Sequence, residues 1–93
     1  MPTLHMEVEI AKSTSNTLKT TFATLTSTLQ SATAAVNNLR AGAWLGASSV
    51  EFFGQYDTWK NRTTTALNDL QTMADRLAKE INEWETAASK LSA

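Results

Sequence analysis

Leu18-Lys19-Thr20-Thr21-Phe22-Ala23-Thr24-Leu25-Thr26-Ser27-Thr28-Leu29 decides the fold. Its large apolar residues, Leu18, Phe22, Leu25 and Leu29, fall at intervals of four, three and four. A helix turns that spacing into one stripe along a single face, whereas a strand, with its period of two, scatters it over both. The spacing continues upstream through Leu4, Val8, Ala11 and Ser15, and downstream through Ala32, Val36, Leu39 and Ala43. Of these twelve positions only Ser15 is not apolar. A long first helix is therefore expected over about residues 7–40.

Ser and Thr supply twelve of the twenty-one residues in 13–33. Such residues are mediocre helix formers, because they lose rotamer freedom or compete for backbone hydrogen bonds. Packing of the stripe, not propensity, must hold this helix. Small side chains also permit close approach of a second one.

The stripe breaks at Arg40-Ala41-Gly42-Ala43-Trp44-Leu45-Gly46-Ala47. Gly42 and Gly46 bracket the expected reversal, over about residues 41–47, where a helix C-terminus or a positive φ favours glycine. Ser48-Ser49-Val50-Glu51 reads as a capping box opening a second helix over about residues 48–88. The second stripe runs Phe53, Tyr56, Lys60, Thr63, Leu67, Leu70, Ala74, Leu77, Ile81, Trp84, Ala88 and Leu91. Beside it Phe52, Trp59, Ala66 and Met73 recur every seven residues, so the helix is apolar over a wider arc than one neighbour covers. The pairs Asp75 with Lys79, Arg76 with Glu80 and Lys79 with Glu83 sit off the seam as a solubilising face.

Composition agrees. The chain has 93 residues, enough for a single domain, with 42% hydrophobic and 18% charged residues. One Pro and three Gly leave room for few turns, which argues against an all-β fold. The absence of Cys removes disulfides and thiolate metal sites. A net charge of −1 with dispersed Lys and Arg lacks the footprint of a nucleic-acid binder. Met1-Pro2-Thr3-Leu4-His5-Met6-Glu7 has neither a basic nor an apolar region of a Sec signal peptide, and no stretch approaches a membrane span. Export, if it occurs, is expected by another route.

Two antiparallel helices of about 35 residues each span about 50 Å. So thin a pair has little enclosed interior, and small scaffolds without disulfides or metals rarely bury enough area to be stable alone. The expected fold is therefore all-α, an antiparallel two-helix hairpin that dimerises into a four-helix bundle. Leu18, Phe22, Leu25 and Leu29 of the first helix, with Phe52, Trp59 and Met73 of the second, are the expected dimer interface. Aromatic rows at this spacing pack against helices far more often than they bind ligands. Tyr56 and Asp57 read equally as a surface contact for a partner.

Catalytic chemistry finds no footing. His5, the one histidine, lies near the terminus with no adjoining acid or ligand to fix it. Glu80 and Glu83 resemble half of a bundle metal site, but that site requires Glu-x-x-His from two helices, and neither glutamate is followed by such a histidine. There is no glycine-rich phosphate loop and no nucleophile elbow. The expectation is a non-enzymatic protein with no catalytic residue, no metal and no cofactor.

Trp44-Leu45-Gly46, placed between two long heptad helices in a chain near one hundred residues without Cys, resembles the WXG-motif family. Its members are small Esx-like helical hairpins exported by type VII (ESX) secretion systems. The resemblance covers about residues 6–88. It implies a head-to-tail dimer with itself or a related member, and recognition by the secretion ATPase. It also implies a protein made in the cytoplasm and secreted without a Sec signal. The family often carries a C-terminal tyrosine followed four residues later by an acid. Here Trp84 holds the tyrosine position and Ala88 the acidic one, while Ile81 with Glu85 fits at an offset. The resemblance therefore allows the partner subunit to supply this signal.

Two other classes of function compete. An amphipathic hairpin can open onto lipid, but the polar face here is rich in Ser and Thr without the cationic excess that anionic membranes attract. Leakage from liposomes at neutral and acidic pH separates that class from the first. An unrelated structural coiled-coil adaptor is the third.

Overall fold

The computed structural model describes residues 6–92, with side chains described to residue 90; His5 and Leu4 lie outside these. Helix α1 spans Val8–Asn38, a wide turn follows at Leu39–Ala43, and helix α2 spans Ala47–Ser92. The two helices pack antiparallel, as expected, into a rod of 70 × 23 × 15 Å. Its radius of gyration, 20.7 Å, exceeds the roughly 12 Å of a compact chain this long. The second hairpin expected to complete a four-helix bundle is not part of the structure.

Along the hydroxyl-rich helices, six threonines find their hydrogen-bond partner on their own backbone. Thr14, Thr28, Thr58, Thr65, Thr72 and Thr86 each donate to the carbonyl four residues earlier, at 2.8–3.1 Å. Each hydroxyl thus stays on the helix instead of competing with it.

The seam between the helices is narrow. Leu67, Ala74 and Ile81 are its buried apolar residues, and Ser15 is buried beside them. Ser15, the one break in the apolar stripe, is thus among the most tightly packed positions of α1. A small side chain is what allows α2 to come close. Opposite it, Ala78 and Ile81 line the same shallow depression.

Midway along α1 the stripe is interrupted at one position. Leu25 is 45% exposed, whereas Thr26 turns half inward with its hydroxyl shielded and without a hydrogen-bond partner. The exchange is local, since Leu29, Ala32, Val36 and Leu39 further along the stripe are half-buried again.

Contacts outside the stripe concentrate on one edge of the seam. In heptad terms Lys12, Thr33 and Arg40 of α1 and Asp57 and Glu85 of α2 all occupy the position that follows the stripe. Across it Lys12 meets Glu85 at 3.1 Å, Arg40 meets Asp57 at 2.7 Å, and the hydroxyls of Thr33 and Tyr56 lie 2.7 Å apart. Antiparallel packing brings these two rows together on one side and leaves the row preceding each stripe on the other. That second edge carries Thr14, Thr21, Thr28 and Ala35 from α1 and Phe52, Trp59, Ala66 and Met73 from α2, all exposed.

Candidate interaction surface

The tip is shaped by its two glycines. Gly42 has φ 136° and Gly46 φ 129°, both in a region that L side chains rarely adopt. The amide of Trp44 closes the wide turn on the Leu39 carbonyl at 3.2 Å. Gly46 then heads α2, its carbonyl accepting from the Val50 amide at 3.2 Å and from the Ser49 hydroxyl at 2.6 Å. The expected capping box through Ser48 and Glu51 is therefore not what opens α2. The helix starts at Ala47, and buried Ser49 holds its first turn. Nor does Gly46 serve a close approach of backbone, since a Cβ there meets nothing within 4 Å. Glycine is required by φ alone.

Trp44 is extended, with φ −144°, and lays its half-buried indole on the start of α2. Its ring lies 5.5 Å from that of Phe52 and 5.9 Å from that of Phe53. Arg40 covers the Phe53 ring at 4.9 Å while holding Asp57. The indole covers the end of the seam, and Leu45 beside it projects 79% exposed. Tyr56 and Asp57 are both engaged across the hairpin, and Tyr56 also stacks on Trp59 at 5.5 Å.

Along the open edge Phe52 is 36%, Trp59 50% and Met73 58% exposed, and Leu25 faces solvent from α1. Leu18, Phe22 and Leu29 are half-buried on the seam. Toward the C-terminus Ile81 is buried, Trp84 half-buried, and Glu85 is tied to Lys12. The ammonium of Lys12 is raised above its ordinary range by that hydrogen bond and by the charge of Glu85, with Glu9 adding to it. Of the three ion pairs expected along α2, Lys79 with Glu83 stands at 3.9 Å. Among the described residues no three His, Cys, Asp or Glu gather as metal ligands, and no helix is long and apolar enough to cross a membrane.

Sequence reasoning missed the pairs Lys12 with Glu85 and Arg40 with Asp57. Their signal was present as opposite charges at the same heptad position of two antiparallel helices.

An antiparallel helical hairpin turned at a Trp-x-Gly motif defines a class of small helical proteins. A family model described as "WXG100: Proteins of 100 residues with WXG" matches residues 3–88, and the chain belongs to that family. No curated protein and no solved structure matches it. Membership implies a non-enzymatic substrate of type VII secretion, in a family whose members form dimers with paired members.

Proposed function

We propose that this chain is exported by type VII secretion as a dimer, acting as secreted effector or co-secretion partner, with a second hairpin covering its open edge. The observation that carries this reading is the exposure of Phe52, Trp59 and Met73 beside a seam that buries only Leu67, Ala74 and Ile81 among its apolar residues. Exposed rows of this kind on a small protein mark an interface. A second hairpin brings Leu25, Phe52, Trp59 and Met73 out of water, with Leu18, Phe22 and Leu29 behind them.

In this reading Trp44, Leu45 and Gly46 form one half of a composite surface for the secretion ATPase. The C-terminal segment of the second subunit, around Ile81, Trp84 and Glu85, forms the other. Within a single hairpin Ile81 and Glu85 are occupied by α1, so the projecting Leu45 and the outer edge of Trp84 are the groups free to be read.

The test is export of Trp44→Ala, Gly46→Ala and Glu85→Gln, with helicity and sedimentation recorded for each. Blocked export with helicity and association retained supports the reading. Normal export of all three removes the motif from the mechanism.

A further inference from the structure

The exposed face of α2 carries a second periodic row, just outside the apolar one. Arg62, Asp69, Arg76, Glu83 and Lys90 recur every seven residues and alternate in sign. All five are exposed. Among the described residues Arg62, Asp69 and Arg76 form no ion pair within the hairpin. In heptad geometry this row lies about 50° around the helix from Phe52, Trp59 and Met73. It therefore flanks whatever covers them.

We propose that the occupant of this edge is a second copy of the same chain, with its α2 antiparallel and the two-fold axis passing between Asp69 and Arg76. The inference rests on the dimer reading above and names its partner and register. About that axis Asp69 faces Arg76 of the second copy and Arg62 faces its Glu83, and symmetry repeats both pairs. Every facing charge is opposite. Sliding the helices by one heptad one way sets Arg62 against Arg76 and Asp69 against its own copy. Sliding the other way sets Asp69 against Glu83 and Arg76 against its own copy. A parallel arrangement sets every charge against itself. Alternating charge along one row thus selects the antiparallel orientation and excludes slips of one heptad, as flanking charges do in coiled coils. A slip of two heptads brings opposite charges together again, but one way it keeps only Arg62 against Asp69 and the other way it shortens the overlap of the two α2 helices.

The apolar row fits the same register. Met73 falls next to the axis and meets its own copy. Trp59 comes over the stretch around residues 84–87, where Glu80, Glu83, Trp84 and Ala87 line a shallow groove of about 210 Å³. A bulky indole then faces small Ala87, with Arg62 beside it placed toward Glu83. Thr14, Thr21 and Thr28 leave the facing edge of α1 low enough for the helices to close.

The test is sedimentation equilibrium of the purified chain, of Arg76→Asp, and of the swap Asp69→Arg with Arg76→Asp. The wild type is expected to be a dimer. Arg76→Asp creates two like-charge contacts across the axis and weakens the dimer by about tenfold or more. The swap restores both pairs with reversed polarity and returns the affinity to the wild-type value. A merely local role for Arg76 is not rescued by a second substitution, so a swap as weak as the single variant overturns the register. A chain that is monomeric alone but forms a 1:1 complex with a different WXG100 hairpin overturns the second-copy inference and leaves the dimer reading standing. A chain that is monomeric with every such hairpin overturns both.

Discussion

Arg40 donates to Asp57 at 2.7 Å and at the same time lies 4.9 Å above the Phe53 ring, so one side chain joins the end of α1 to the start of α2 in two ways. An exposed ion pair contributes about 0.2–1 kcal/mol and a surface cation–π contact about 0.5–1 kcal/mol. Arg40→Ala is therefore expected to destabilise the hairpin by roughly 1 kcal/mol, and Asp57→Asn by less, because the ring contact survives. Urea unfolding followed by circular dichroism measures both. Equal losses would show that the ring adds nothing.

Lys12 and Glu85 clasp the opposite end, and their contribution depends on pH. The Lys12 pKa is raised above 10.5 in the folded chain, chiefly by the hydrogen bond to Glu85. A raised lysine stabilises fully below its unfolded pKa, and the gain disappears as pH climbs through the higher folded value. The thermal midpoint of the wild type should thus exceed that of Glu85→Gln by a constant margin from neutral pH to about pH 10. The margin should narrow above the 10.5 of free lysine. A margin unchanged at pH 12 contradicts the assignment.

Glycine matters at the tip for its backbone and in α2 for nothing the structure shows. Gly46, at φ 129°, faces open space, so Gly46→Ala costs only conformational strain, roughly 1–3 kcal/mol. Gly54 lies inside α2 with open space where a Cβ would stand, so Gly54→Ala should stabilise by about 0.5–1 kcal/mol. Opposite shifts of the melting temperature are the expected pair of results. A stabilised Gly46→Ala would remove the backbone argument for the motif glycine.

Thr26 holds a shielded hydroxyl without a partner. Thr26→Val keeps the shape and removes the unmet polar group, with an expected gain of about 1 kcal/mol. Thr28, whose hydroxyl donates to the Thr24 carbonyl at 2.9 Å, is the control and should gain nothing from the same change. Differential scanning calorimetry on the two variants decides it.

How much was legible differs along the chain. The stripes through Phe22 and Leu67 specified two long helices, and Gly42 and Gly46 specified where they part. The role of Ser15 was not legible, because whether a polar residue in a stripe is a defect or a point of closest approach depends on the opposite helix. That Thr26 turns toward α2 while Leu25 faces solvent was not legible for a related reason. Heptad spacing assigns a face only to within one residue, and the rotation that settles it comes from the side chains across the seam. Of the export candidates, Ile81 is buried, as its place in the stripe implied, whereas the pairing of Glu85 with Lys12 was not legible.

The amino-acid sequence by itself determined two amphipathic helices, their reversal at Trp44-Leu45-Gly46, and an apolar arc on α2 too wide for one partner. These follow from the helical period and from backbone preferences, which act over a few residues. Only the tertiary structure decided which edge of the hairpin is open. Ion pairs from Lys12 and Arg40 cross one edge, and Phe52, Trp59 and Met73 are left on the other. That choice depends on the relative register and rotation of two helices, which packing across the seam sets and no local pattern encodes.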